Sequence, residues 1–339
     1  MARGLGYYIL VRALMIIPTI LILYTIVFIL LRLLPGDPIL AVVGTRHIPP
    51  EQLEHLRRIA GLDKPPYIQY FEYLWNVFHG DFGVTLAIPM GKPVKDYIFT
   101  RFPATLELTI FSFIVSVGLG LLTGTIAAIK RGTVIDTGMR LYSIIAYTLF
   151  IPWFGLMLQY FFGLILGILP TSGRLDPGIK VESITGLYVL DSILTGNSRA
   201  LASALAHLVL PSITLGIVLS GAYTRLVRNN LVDILSMDFI RSYHARGISR
   251  GKIVWYALKN AFIPVITLMG LQFAILLGGA ILTETTFSWP GMGTFIVDRI
   301  DYRDYNSIQG AIIFFAFFVS IISLIVDIIY ALLDPRVKY

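Results

Sequence analysis

Six apolar runs dominate this chain and limit what it can fold into. They cover roughly residues 8–31, 103–128, 140–169, 204–227, 261–282 and 307–333. Each is long enough to cross a hydrocarbon core, which takes about 20 helical residues. The fold they predict is an all-α integral membrane protein with six transmembrane helices. Charged residues make up 14% of the 339, against about 25% in soluble domains, so a water-soluble core is the wrong expectation. The first run exceeds the roughly 7–15 apolar residues of a signal peptide and no small-residue cleavage site follows it. It reads as a retained first span.

Six crossings put both termini on one side, and the basic residues indicate which. With the N-terminus in the cytoplasm, the inner segments hold fourteen Lys and Arg: Arg3, Arg12, Lys130, Arg131, Arg140, Arg225, Arg228, Arg241, Arg246, Arg250, Lys252, Lys259, Arg336 and Lys338. The two shorter outer loops hold five: Arg174, Lys180, Arg199, Arg299 and Arg303. Long loops translocate largely regardless of charge, so 35–101 is left out of the comparison. Both termini are therefore expected in the cytoplasm. The same bias accounts for the net charge of +7 without any nucleic-acid partner.

The expected domains are a transmembrane helix at 1–34, an extracytoplasmic loop at 35–101 and a five-helix core at 102–339. Within the loop, Glu51 and Glu54 near the start and Arg57 and Arg58 near the end suit the dipole of a helix that Gly61 stops. Residues 67–79 read as an aromatic-rich amphipathic helix ended by Gly80, suited to a membrane surface or to a partner. In the core, Ser116, Gly120, Gly124 and Ala128 form one stripe of small residues, and Gly270, Ala274 and Gly278 another. Such stripes let helix backbones approach closely in lipid. Pro152 is the expected kink of the third span.

Between the fourth and fifth spans lies a basic stretch, 237–264, within a loop region at 229–260. Asp238 can cap a short helix through Phe239, Ile240, Tyr243 and Ala245, and Gly247 can end it. Ser249 can then cap a second helix that climbs into the next span. A helix–Gly–helix elbow with apolar and basic faces has the form of a docking site for another protein.

Catalytic signatures are missing. Gly91-Lys92 and Gly251-Lys252 lack both the Ser/Thr and the upstream glycine of a phosphate loop, and no HExxH occurs. The five histidines show no metal-ligand spacing, and no cysteine is present. Asp327 is the clearest carboxylate inside a span, with Glu107 and Glu284 near span ends. A self-sufficient secondary carrier usually needs ionisable groups at mid-membrane, and few are available here. Gln272, Asn260 and Pro152 are the candidates for lining a pathway, although helix packing is the commoner role for such residues. A six-span protein with a docking elbow and no nucleotide motif takes its energy from elsewhere.

The elbow resembles the EAA loop of ABC importer membrane subunits, in the variant of dipeptide and oligopeptide permeases. The name-giving triplet falls on Arg241, Ser242 and Tyr243 and the anchoring glycine on Gly247. Tyr243 is bulkier than the usual Ala, and Pro264 comes later than the usual proline. Further motifs extend the resemblance to nearly the whole chain: Arg32-Leu33-Leu34-Pro35-Gly36-Asp37-Pro38, Gly61-Leu62-Asp63-Lys64-Pro65 with Gln69-Tyr70, Gly80-Asp81-Phe82-Gly83, Arg101-Phe102-Pro103-Ala104-Thr105-Leu106, Leu169-Pro170-Thr171-Ser172-Gly173-Arg174 and Asp334-Pro335-Arg336. The long loop after the first span is similar to that of the B-type permease. The resemblance implies a MetI-like fold in the cell membrane, a C-type permease partner, two ABC ATPase subunits that use ATP and Mg, and an extracytoplasmic solute-binding protein. Asp238, Phe239, Arg241, Ser242, Tyr243, Arg246 and Gly247 would then form the ATPase-coupling loop. No cofactor is expected in this chain. The family imports dipeptides, oligopeptides, nickel complexes and oligosaccharides; peptides are the expected cargo, with oligosaccharides next.

Overall fold

A computed structural model describes residues 5–33, 39, 49, 51, 54, 57–58, 61–87 and 91–333. The helix expected over 51–60 falls largely outside the described residues, as do most of the 32–38 exit motif and the closing 334–336 motif. Gly61 does turn the chain, at φ +67°, with its N–H bonded to Arg58 O.

Twelve α-helices are used below: α1 (Leu5–Leu33), α2 (Pro66–Phe78), α3 (Val94–Ile129), α4 (Val134–Thr148), α5 (Ile151–Leu158), α6 (Tyr188–Leu194), α7 (Ser198–Leu235), α8 (Asp238–Ala245), α9 (Arg250–Gly279), α10 (Ile281–Thr286), α11 (Met292–Asp301) and α12 (Tyr305–Leu333). A π-helix, Gln159–Ile165, continues α5. Among the described residues, four stretches are long and apolar enough to cross a membrane without interruption: Ile9–Leu33, Val94–Ile129, Ser198–Leu235 and Tyr305–Ile329. Two further candidates are bent pairs, Val134–Thr148 with Ile151–Ile165 at 104°, and Arg250–Phe262 with Pro264–Gly278 at 54°. Counting each pair as one span gives six.

The bend in the third span is a sharp turn rather than a proline kink. The helix breaks at Leu149 and Phe150, whose backbones are extended, and Pro152 sits in the first turn of α5. There its missing N–H costs nothing, because that donor has no intrahelical partner anyway.

The chain divides into two compact units. The first comprises Met1–Ile9, Leu106–Trp289 and Ile322–Tyr339, and the second Leu10–Thr105 and Pro290–Ile321. In the first, α7 is the central helix. A Cβ added to Gly120 of α3 would lie 2.2 Å from Tyr223 Cβ, and one on Gly124 would lie 2.8 Å from Thr224 O. Gly216 of α7 likewise admits only hydrogen against Val115 and Ser112. The stripe that the sequence placed on α3 is thus the surface on which α7 lies. These contacts climb in step along both helices, so α3 and α7 run parallel. The bent pair between them must return the chain from one end to the other. On the opposite side α4 packs by backbone, since a Cβ on Gly221 would lie 2.4 Å from Ser143 O. Short polar ties seal both contacts: Thr123 with Thr224 at 2.7 Å, and Tyr142 with Ser220 at 2.6 Å. The second predicted stripe is used only in part. Gly270 packs against Val326, whereas nothing approaches Gly278 within 4 Å.

In the second unit α2 packs on α1 and α12. Tyr24, Phe28 and Ile313 are buried there among Ile20, Tyr70, Tyr73, Leu74 and Val77. Gly80 ends α2, as its sequence position predicts. Its φ is +77°, with Gly80 N–H on Val77 O and Asp81 N–H on Asn76 O, the paired bonds of a Schellman cap. Asp304 is fully buried and accepts from Thr85, from Ala87 N–H at 3.3 Å and from Ser307 Oγ at 2.7 Å. Arg299 Nη1 stands 3.9 Å from the same carboxylate.

Candidate functional site: a docking elbow

The elbow is built in the first unit as a short helix stapled to the ends of three long ones. Ile240, 2% exposed, points inward among Ala128 of α3, Leu231 and Val232 of α7, and Ile253, Ala257 and Ala261 of α9. Phe239, Tyr243 and Ile248 close over that cluster. A buried Ile contributes about 1.5–3 kcal/mol of transfer free energy, enough to hold two turns that have little stability of their own. The other face is left free. Asp238, Arg241, Ser242, His244 and Arg246 are all exposed, with Lys252 beyond them.

Gly247 makes the corner. Its φ is +69°; its N–H bonds to His244 O at 3.0 Å, and Ile248 N–H bonds to Tyr243 O at 3.1 Å. This is a full Schellman cap. Nothing lies within 4 Å of a Cβ placed there, so backbone conformation, and not space, demands glycine. The N-terminus differs from expectation. Met237 occupies the cap position and Asp238 is the first helical residue, its carboxylate 3.3 Å from Arg241 Nη1. In that place Asp238 suits the positive end of the helix dipole but makes no capping bond. Ser249 does sit at the cap position of α9, but its hydroxyl makes no capping bond.

Beneath the elbow, Asp136 of α4 is 1% exposed. It accepts a two-pronged hydrogen bond from Arg228 of α7, at 2.9 and 2.8 Å, and another from Gly132 N–H at 3.1 Å. Arg–carboxylate forks of this kind fix direction as well as distance. They tie the lower end of α7, which leads straight into α8, to the loop after α3.

Beside the elbow runs an open cavity of about 750 Å³. Tyr243, Trp255, Tyr256, Leu258, Lys259, Asn260, Phe262 and Ile266 line it, with Leu121 and Thr125 of α3. Asn260 and Tyr243 therefore line the same cavity. Asn260 bonds Tyr256 O at 2.9 Å. Gln272 is further along α9 and 8% exposed, and Pro152 starts α5, whose Gly155 packs on Phe287. The three pathway candidates do not converge on one surface of this cavity.

Sequence reading underrated a second cluster in the first unit. Glu107 accepts from Arg174 at 2.6 Å and from Val189 N–H at 2.7 Å, and both side chains are sealed from solvent. Arg174 also bonds Gly186 O and lies 3.6 Å over the Tyr188 ring. Asp191 accepts from the N–H groups of Ile184, Thr185 and Gly186 and from the Thr185 hydroxyl. Burial pushes its pKa up, but these bonds outweigh burial and hold it below the ordinary carboxylate value. The segment 170–191 is thus a folded cap on α3 and not a loose loop. The Thr-Ser-Gly-Arg motif and a lone Glu at a span start were the available signals. Among the described residues no group of three or more His, Asp or Glu could hold a metal ion.

Such a fold is that of an all-α membrane permease of the MetI-like class. The fold matches a structure of the inward-facing MetNI methionine ABC transporter with a TM-score of 0.52 at 16% identity, covering 71% of this chain and 98% of that one. The chain belongs to the family of binding-protein-dependent transport system inner membrane components, whose model matches residues 120–339, with the family's N-terminal model on 5–109. Among its relatives, the di/tripeptide transport system permease protein DppB of Pseudomonas aeruginosa is 40% identical over 327 residues, 96% of each chain. The dipeptide transport system permease protein DppB of Escherichia coli K12 is 35% identical over 336 residues, 98% of each. The glutathione transport system permease protein GsiC of Salmonella paratyphi A is 37% identical, covering 98% of this chain and 99% of that one. The protein is accordingly a multi-pass component of the inner membrane.

Proposed function

We propose that this chain is the permease subunit of an ABC importer for di- and oligopeptides. The observation that carries the cargo is the full-length identity of 35–40% to permeases named for dipeptides and di/tripeptides. A relative named for glutathione, itself a tripeptide, points the same way. The chain forms half of a translocation pathway with a C-type permease. A solute-binding protein delivers the peptide, and two ATPase subunits supply the energy; ATP and Mg²⁺ are theirs, and this chain has no hydrolytic site of its own.

The exposed face of α8 supports the coupling role. Arg241, Ser242 and Arg246 stand outward while Ile240 anchors the helix. A load applied to that face passes through the Ile240 cluster into α7 and α9 together. Such rigid-body transfer is how closure of one subunit swings the helices of another. In this reading both termini and the elbow face the cytoplasm, and the cap over 170–191 faces outward.

The test is purification from native membranes with identification of the co-purifying chains, followed by uptake in proteoliposomes. ATPase subunits, a second permease and a binding protein carrying peptide are the expected set. A chain that purifies by itself and transports without ATP would overturn the importer reading in favour of a secondary carrier.

A further inference from the structure

Helix α2 has three faces. Tyr70, Tyr73, Leu74 and Val77 pack on α1 and α12. Gln69, Glu72, Asn76 and His79 make a polar stripe, with Glu72 held by Lys64 at 2.6 Å. The third face is Tyr67, Phe71, Trp75 and Phe78, spaced by four, four and three residues. All four are 66–67% exposed, with no charge among them. Sequence pattern left open whether such a face meets a membrane or a partner.

Position along the span decides it. α2 runs antiparallel to α1. Gln69 accepts from Arg32 at 2.8 Å, at the end of α1. Two to three turns further along α1, Tyr70 O accepts from the Tyr24 hydroxyl at 2.8 Å, and Leu74 and Val77 pack on the same cluster as Ile20. From Arg32 to Ile20 is twelve residues, about 18 Å of helix. Tyr73 likewise donates to Asn306 O in the first turn of α12, while Phe82, just past α2, meets Phe314 two turns further in. The helix therefore descends beside two apolar spans, where an exposed aromatic face meets the boundary of headgroups and acyl chains.

At its deep end lies a cavity of about 380 Å³. Its walls come from α1 (Ile17, Ile20), α2 (Val77, Phe78) and α12 (Phe314, Phe317), and carry no charged side chain. It opens beside Ile17, which is half exposed on α1. A slot of that composition offers nothing to a peptide or a headgroup and everything to a hydrocarbon tail.

We propose that α2 dips into the leaflet at the Arg32 end of α1 with its aromatic face against lipid, and that the α1–α2–α12 slot takes a phospholipid acyl chain. The slot shares no residue with the docking elbow or with the cavity beside it.

Because the chain has no cysteine, single spin labels can be placed on the full-length protein in phosphatidylethanolamine–phosphatidylglycerol vesicles. Labels at Tyr67→Cys, Phe71→Cys, Trp75→Cys and Phe78→Cys are expected to relax faster with oxygen than with a water-soluble nickel chelate, increasingly so toward position 78. Asn76→Cys should show the reverse preference. Nickel dominance at positions 71 and 75 overturns the proposal in favour of an aqueous surface. Shielding from both reagents overturns it in favour of a protein partner. For the slot, a phospholipid with a photoreactive tail is expected to crosslink to segments 16–21, 77–82 and 313–317, and Ile17→Trp should reduce that yield severalfold. Crosslinks spread evenly along α1, or unchanged by Ile17→Trp in a variant of wild-type elution and Tm, overturn the acyl-chain site.

Discussion

Arg174 reaches across 67 residues of sequence to donate to Glu107 at 2.6 Å, with neither side chain exposed by more than 6%. The pair joins the cap over 170–191 to the start of α3 in the first unit. Removing one partner leaves the other charge buried without compensation, a cost of about 3–5 kcal/mol. Glu107→Ala is expected to lower the thermal midpoint in detergent sharply and to cut the yield of folded protein. The double variant Glu107→Leu/Arg174→Met should recover much of the loss, since no orphan charge remains. If both variants melt like wild type, the pair does not hold the cap.

Gly247→Ala forces a Cβ into the left-handed region, at about 1–2 kcal/mol, although the space around it is empty. Gly247→Asn tolerates that region better and should lie between. Both proteins are expected to insert and assemble. Peptide uptake per ATP hydrolysed should fall in the order Gly, Asn, Ala, and Gly247→Pro should abolish it. Equal coupling ratios in all four would remove the elbow from the energy path.

Two glycines of α3 separate packing from composition. A side chain at Gly120 meets Tyr223 at 2.2 Å, whereas one at Gly118 meets nothing within 4 Å. Gly120→Val is expected to destabilise by about 1–3 kcal/mol, as overpacked sites do. Gly118→Val should be near neutral, and comparison of their Tm values in the same detergent decides the matter.

The Asp191 cradle sets an acid limit. Its carboxyl is depressed below the ordinary value of 3.8 by hydrogen bonds made only in the folded state. A depressed group contributes stability that is fully present above the unfolded pKa and drains away as pH falls through the folded one. Thermal midpoints are therefore expected to carry this site's full contribution, unchanged, between pH 5 and 8 and to drop below about pH 4. Asp191→Asn should be less stable at neutral pH and show a shallower acid slope. A parallel slope in the variant would assign the acid loss to other groups.

What the sequence made legible was local. Span positions followed from apolar length, and the corner at Gly247 and the end at Gly80 followed from glycine after an amphipathic turn. The α3 stripe was readable because small residues repeat every fourth position. What stayed hidden depended on partners far along the chain. Glu107 read as a stray carboxylate because Arg174 lies 67 residues away, and Thr85 and Asp304 are 219 apart. Sequence alone puts a kink of the third span at Pro152, because proline is the familiar breaker. The chain turns two residues earlier, at Leu149 and Phe150, with Pro152 starting the next helix. Asp238 looked like a cap because caps and first-turn acids share the same residues, and one position separates the two roles.

The length of α7 has a mechanical meaning. Thirty-eight residues make about 57 Å of continuous helix, against about 30 Å of hydrocarbon. On the importer reading proposed above, the surplus, clamped through Arg228 to Asp136, would serve as a crank arm. Only Ser236 and Met237 separate it from α8, and the N–H groups of both bond back to α7, so the joint has almost no slack. On that reading a push on the elbow would pass into α7 with little loss at this joint, and a transporter geared this way should lose stroke as residues are inserted there.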